Sequence, residues 1–208
     1  MEIHSLRYPA FLLFGLLVAG CATSTPIVSE WRNPAYASAS FSRIMIGALG
    51  GTTSARRNFE DEFSTQLRAA GVEGIASYGF LFEGADTDET TIRAAAQKAR
   101  VDAAIVARLV RVEEKTEYGG SYFPPASWIG VFGSHGGVSV SGPGGLSSPY
   151  RYNEYTTETT LRDVVKNEVV WTATTVAREP ASGGNAVKST VDAIVKSLVE
   201  TNLLRRRQ

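Results

Sequence analysis

Asp102–Glu117, DAAIVARLVRVEEKTE, carries the strongest strand signal in the chain. It opens as a continuous apolar run, Ala103 to Ala107. It then alternates, with Arg108, Val110 and Val112 on one face and Leu109, Arg111 and Glu113 on the other. A strand buried on both faces at one end and half exposed at the other has this pattern.

Upstream of it, Arg43–Leu49 (RIMIGAL) is a short apolar run that fits a buried strand. Gly50-Gly51 turns the chain, and Thr52, Thr53 or Ser54 can cap the next element. A helix is expected over Ser54–Ala70, because Phe59, Phe63 and Leu67 recur at i, i+4 and i+8, with Arg56, Glu60 and Arg68 left for water. Gly71 supplies its stop. Glu73–Tyr78 reads as a second strand, weakly apolar and containing Gly74, so nearer an edge. Residues 79–87 form a loop in which Asp86 and Glu89 have the spacing of a capping box. An Ala-rich helix follows over Thr87–Arg100.

Downstream, Tyr118–Tyr150 is a different kind of chain. Its 33 residues hold no Asp, Glu, Lys or Arg but nine of the twenty glycines and four of the eight prolines. Glycine and proline at that density oppose regular strands, so a surface loop is expected. At most it holds a short hairpin, Ile129 and Val131 sharing a face with Val138 and Val140. The absence of charge points to a contact role for Tyr122, Phe123, Trp128 and Phe132; a merely disordered insertion is the competing reading. After it, Tyr152–Val165 alternates as a long strand, Lys166-Asn167 makes a tight turn, and Glu168–Arg178 pairs back as a hairpin containing Trp171. Pro180–Asn185 is a loop. Ala186–Leu203 is a last helix with Val187, Val191, Ile194, Val195 and Leu198 on one stripe.

The expected order is therefore β-α-β-α-β, long loop, β-β-α. That is an α/β domain (an α+β sandwich) over residues 41–208, with helices packed on one face of a mixed sheet of about five strands. The first crossovers should be right-handed. Residues 21–40 read as a tether, rich in Ser, Thr, Ala and Pro and without hydrophobic periodicity. Fully extended, its stretch from Ala22 to Ser40 reaches roughly 60–70 Å. Trp31 and Tyr36 interrupt it; one should pack on the domain, the alternative being an aromatic at a membrane interface.

Residues 1–20 are a leader. Met1–Arg7 is polar with one cation, and Tyr8–Val18 is an apolar run too short for a bilayer core, which needs about 20 residues. It fits the apolar part of a secretory signal peptide. Val18-Ala19-Gly20-Cys21 resembles the processing site of bacterial lipoproteins. That resemblance implies cleavage between Gly20 and Cys21, diacylation of the Cys21 sulfur and acylation of its new amine. Three acyl chains exceed the two signals that stable anchoring takes. In Gram-negative lipoproteins an Asp after the cysteine favours the inner membrane, so Ala22 implies the outer membrane, periplasmic face. A Gram-positive source would place the protein on the outer face of its single membrane.

Removal of the leader leaves 188 of the 208 residues, enough for one domain with a real core. Lys and Arg together number 21, as do Asp and Glu, so no global basic field exists to hold nucleic acid. Cys21 is the only cysteine, so no intramolecular disulfide can form.

SEWRNPAY, FSRIMIGAL, RRNFEDEFSTQLRAAGVEGIASY, VDAAIVARLVRVEEKTEY and ETTLRDVVKNEVVWTATT together resemble a family of small bacterial envelope lipoproteins of unknown function. The match covers most of residues 28–200 and lies in the order of the motifs. The domain is similar to the α/β unit of the curli-secretion channel lipoprotein and to the amino-terminal domain of the Tol-system propeller protein. The resemblance implies a fold and an envelope location and carries no catalytic residues.

Candidate chemistry is sparse. Gly47-Ala48-Leu49-Gly50-Gly51-Thr52 stands where a phosphate loop would, but lacks the Gly-Lys-Ser/Thr ending and the G-x-G-x-x-G spacing. A tight turn before a helix cap accounts for it. Ser134-His135 does not complete G-x-S-x-G, because the first position is Phe132. One histidine without cysteine partners is a poor zinc site. Glu113, Glu114 and Glu117 are acid/base candidates, equally explained as charges at the exposed end of a strand. Arg205-Arg206-Arg207 follows a helix, where cations favour the negative end of the dipole; contact with anionic lipid is the alternative. The expectation is thus no catalytic residue, no metal site and no cofactor. The protein expected from these features is a non-enzymatic, outer-membrane-anchored periplasmic lipoprotein serving as a binding or assembly module. An envelope protein partner fits this reading, and the oligomeric state is left open. The alternatives are a subunit of an oligomeric secretion or transport assembly and, third, a hydrolase using a carboxylate pair.

Overall fold

The structure is a computed structural model that describes residues 25–81, 88–117, 150–180 and 185–205. Six strands form one mixed sheet: β1 (Ile27–Arg32), β2 (Arg43–Leu49), β3 (Glu73–Ala76), β4 (Ala103–Glu117), β5 (Tyr150–Asp163) and β6 (Val169–Pro180). Their spatial order is β1-β6-β5-β4-β2-β3. β2 runs parallel to β3 and β4; every other pairing is antiparallel. Among the described residues three α-helices pack on the sheet: α1 (Thr53–Ala69), α2 (Glu89–Lys98) and α3 (Ala186–Glu200). The α/β class and the mixed sheet agree with the sequence, and β3 lies at an edge as its composition implied.

The sixth strand is β1, inside the stretch whose composition read as tether. Ile27–Arg32 pairs with β6 from Ile27↔Thr175 to Arg32↔Trp171. Its alternation is hidden by an irregularity between Ile27 and Ser29 and by a glutamate, Glu30, exposed but on the side of the sheet that carries α3. Glu30 is matched there: Trp171 Nε1 and Ser197 Oγ each donate to its Oε1 at 2.6 Å. Of the two tether aromatics, Tyr36 packs on the domain. It is buried, its hydroxyl donates to Glu168 Oε2 at 2.9 Å, and Lys166 Nζ stands 4.9 Å from its ring centre. Trp31 is 48% exposed.

Helices cover both faces of the sheet. On one face α1 and α3 contribute Phe63, Leu67, Val191, Ile194 and Leu198 to a core with Ile44, Ile46, Ile105, Leu161 and Trp171. On the other, the alanines of α2 (Ala95, Ala96) with Ala99 and Val101 cover Met45 and Ala104. The expectation of helices on one face was too simple: β2 is apolar and buried from Ile44 to Leu49, and such a strand needs cover on both sides. Close packing sets two glycines. A Cβ on Gly74 would lie 2.7 Å from Ser64 Cα, so α1 approaches β3 only because that side chain is absent; at Gly47 a Cβ would meet Ile92 Cδ1 at 2.4 Å.

Element ends shift by a few residues from the sequence reading, β3 stopping at Ala76, β5 spanning Tyr150–Asp163 and β6 Val169–Pro180. α2 is capped by Asp88, whose side chain accepts from Thr91 N; Asp86 lies outside the described residues. β4 has an irregularity between Leu109 and Arg111, so Leu109 faces Thr157 while Arg111 faces Thr156. The bulge shifts the phase by one residue and places Val112 on the face of Leu109, opposite to the uninterrupted alternation expected. α3 stops at Glu200, after which Leu204 bridges to Phe41.

Candidate functional site

β2 pairs with β4 only as far as Leu49↔Arg108, and β1 meets β6 no farther than Ile27↔Thr175. Both limits fall at one level of the sheet, since Thr175 faces Thr157 and Thr157 faces Leu109. Beyond this shoulder, among the described residues, only β4, β5 and β6 continue, as a three-stranded ribbon reaching Glu117, Tyr150 and Pro180. At the shoulder, under the first turns of α1 and α3, lies a cleft of about 260 Å³.

Its floor is the sheet, with Ala107, Leu109 and Thr157. Its walls are Leu49 and Phe59 on one side and Ala186, Val187 and Thr190 on the other. Gly50 and Gly51 shape the rim with φ of 83° and 70°, a region that glycine enters without penalty. Thr52 then caps α1, its Oγ1 accepting from Ala55 N at 3.2 Å. The turn-and-cap reading of Gly47–Thr52 is the observed one. Two polar groups face each other across the mouth: Tyr155 donates its phenolic proton to Glu179 Oε2 at 3.0 Å. Burial, then this bond, pushes the phenol pKa up, so Tyr155 serves there as a neutral hydrogen-bonding group. Arg56 at the rim reaches Thr53 Oγ1 at 3.2 Å. The arrangement suits a small, largely apolar group with one polar atom; Tyr155 and Glu179 are engaged with each other.

A buried carboxylate lies behind α1. Glu60, expected to meet water, is 3% exposed. Its Oε1 accepts from Ala48 N at 3.0 Å and Ser77 Oγ at 2.9 Å, and its Oε2 from Tyr78 N at 3.2 Å. Burial raises its pKa against the opposing pull of these donors. It ties the end of β2 to the 3-10 turn at Ser77–Gly79. The sequence did hold a signal for it: Glu60 precedes Phe63 by three positions and Leu67 by seven, on the apolar stripe.

The carboxylates Glu113, Glu114 and Glu117 sit on the ribbon and are each matched by cations, Glu113 and Glu117 through a chain in which Lys115 and Arg178 both reach Glu154. Glu113 pairs with Arg111 at 3.5 Å and Lys115 at 3.3 Å. Glu114, on the opposite face, pairs with Arg151 at 3.9 Å, and Glu117 accepts from Tyr152 at 3.2 Å. Arg205 does not sit in a last helical turn; its backbone N–H donates to Phe41 O, drawn there by the bridge at Leu204. Gly20, Cys21, Tyr122, Phe123, Trp128, Phe132, Ser134, His135, Arg206 and Arg207 lie outside the described residues. Among the described residues no group of three or more His, Cys, Asp or Glu is placed to hold a metal ion, and no helix is long and apolar enough to cross a membrane.

No protein-family model and no curated protein matches the sequence. Solved structures do. A PelC dodecamer from Paraburkholderia phytofirmans is 15% identical, with 88% of this chain and 99% of that one covered at a TM-score of 0.47. Lipoprotein GNA1162 from Neisseria meningitidis is 15% identical over 76% of this chain and 99% of its own, at 0.43. A minor lipoprotein from Acinetobacter baumannii is 10% identical over 79% and 97%, at 0.39.

Proposed function

We propose that this chain is a lipoprotein of the bacterial outer membrane, anchored through acyl chains on Cys21 and facing the periplasm. Its α/β domain would serve as a non-enzymatic binding or assembly module of the envelope. The observation that carries the reading is Val18-Ala19-Gly20-Cys21 directly after an eleven-residue apolar run, Tyr8–Val18. Ala22 favours the outer membrane over the inner by resemblance to Gram-negative lipoproteins. A binding rather than catalytic role is supported by the cleft, apolar-walled and with its two facing polar groups bonded to each other. It is supported too by the ribbon carboxylates, each of which is matched by a cation. The uncharged segment 118–150 is assigned to contact with an envelope partner.

The test is Cys21→Ser with membrane fractionation. The variant should fold yet leave the membrane fraction, and the intact mass of the wild-type protein should carry the acyl chains. A variant still bound after a salt wash would overturn the anchor.

A further inference from the structure

We infer that the domain lies on its side against the bilayer, resting on β1 with Val28 and Trp31 among the lipid headgroups. This rests on the anchor at Cys21 and adds what the domain does beside it.

The decisive quantity is the length of the leash. Thr25, only four positions after Cys21, is already buried against α3, its Oγ1 donating to Ser189 Oγ at 2.8 Å. Pro26 O then accepts from Val176 N at 3.3 Å. Four extended residues reach about 14 Å at most, far less than the composition of residues 22–40 allowed. Thr25 therefore stays near the headgroup layer, and it stands at the shoulder, about midway along the sheet.

Lengths along the sheet then exclude an upright domain. From Thr157 at the shoulder to Tyr150 at the ribbon's end is seven residues, about 23 Å of strand. From Thr157 to Asp163 at the other end is six residues, about 20 Å. Both exceed the leash. With the ribbon pointing down, its tip would be driven past the anchor into hydrocarbon, carrying Lys115, Glu117, Arg151 and Arg178. With the ribbon pointing up, the opposite end of the sheet would meet the membrane first and hold Thr25 out of reach. The strands must lie nearer the membrane plane than its normal.

The same length chooses the side. The leash leaves beside β1, and β3 is five strand spacings away, about 24 Å, so the β3 edge cannot face the bilayer. β1 is the outermost strand on the leash side. It exposes 57% of Val28 and 48% of Trp31. Indole rings favour the headgroup level of a bilayer, where one end is apolar and the other wet.

The experiment uses the full lipidated chain reconstituted into phosphatidylethanolamine–phosphatidylglycerol vesicles. A fluorophore is placed by Trp31→Cys or, as a control on the exposed side of α1 over β2 and β3, by Thr65→Cys. Quenching by a nitroxide on the lipid headgroup should be several-fold stronger at position 31 than at 65. Insertion of twenty Gly and Ser residues between Ser24 and Thr25 should reduce the quenching at 31 toward that at 65. Equal quenching at the two positions in an acylated, membrane-bound chain would overturn the orientation and leave the anchor standing. An intact mass without acyl chains would overturn both. Disulfide-linked dimers of unlabelled Trp31→Cys chains, with no lipid quenching, would place a second copy on β1 and overturn the lipid contact.

Discussion

Trp171 and Glu30 are 141 positions apart in sequence, yet the indole Nε1–H of one donates to Oε1 of the other at 2.6 Å. Ser197 Oγ donates to the same oxygen. One carboxylate thus ties β1 to the central hairpin and to α3. Glu30→Ala would leave two buried donors without an acceptor, at about 1–3 kcal/mol for each such group. The expected result is a midpoint shift in denaturant unfolding with an unchanged slope. No shift would mean that β1 is dispensable to the fold.

Phe63 is fully buried between α1 and the sheet, with Phe59 at a ring-centre distance of 5.7 Å. Phe63→Ala should cost about 3–5 kcal/mol, read as a lowered unfolding free energy with the far-ultraviolet circular dichroism of the folded state retained. A thermal midpoint equal to that of the wild type would show that the stripe of α1 does not carry the core.

Glu60 gives the domain a pH dependence whose sign is fixed. Its pKa is raised above the ordinary 4.5 by burial, so the folded state keeps its proton to higher pH than the unfolded chain. Stability from this group is fully present below the unfolded value and declines as pH climbs through the folded one. Glu60→Gln, which cannot ionise, should flatten that decline in unfolding free energy measured from acid to neutral pH. A variant with the full wild-type slope would assign the dependence to another group.

Glu117 and Tyr150 face each other at the end of the ribbon. The intervening segment therefore leaves and rejoins the fold at one place. Replacing Gly120–Ser147 by a short Gly-Ser linker should leave the unfolding transition nearly unchanged, because closure entropy varies slowly with loop length. Loss of the cooperative transition would show that the segment belongs to the core.

Elements with a full period on a buried face were legible: β4, α1 and the stripe of α3 all arise from spacing. Tyr36 matched the expectation that one tether aromatic packs. What escaped was set by distant partners. Glu30 disguises β1 because its match, Trp171, lies on another strand. The bulge at Val110 re-phases β4 without any glycine or proline to announce it. Glu60 was assigned to water by residue type although its spacing put it on the apolar stripe; the donors that satisfy it, Ala48 N and Tyr78 N, are backbone groups that no side-chain pattern displays. The cleft arises from strands of unequal length, a property of pairing register rather than of any motif.

The position of β1, directly after the leash, makes it the strand through which the anchor would load the domain. Force on the chain ahead of Thr25, applied across the strands, acts first on the bond between Thr25 and Ser189, next on that between Pro26 O and Val176 N and then on each rung toward Arg32 in turn. Peeling of this kind breaks bonds singly and needs little force. Glu30, fastened to Trp171 and Ser197 midway along the strand, is where such a tear would be arrested, making this carboxylate a mechanical stop as well as a stabilising contact.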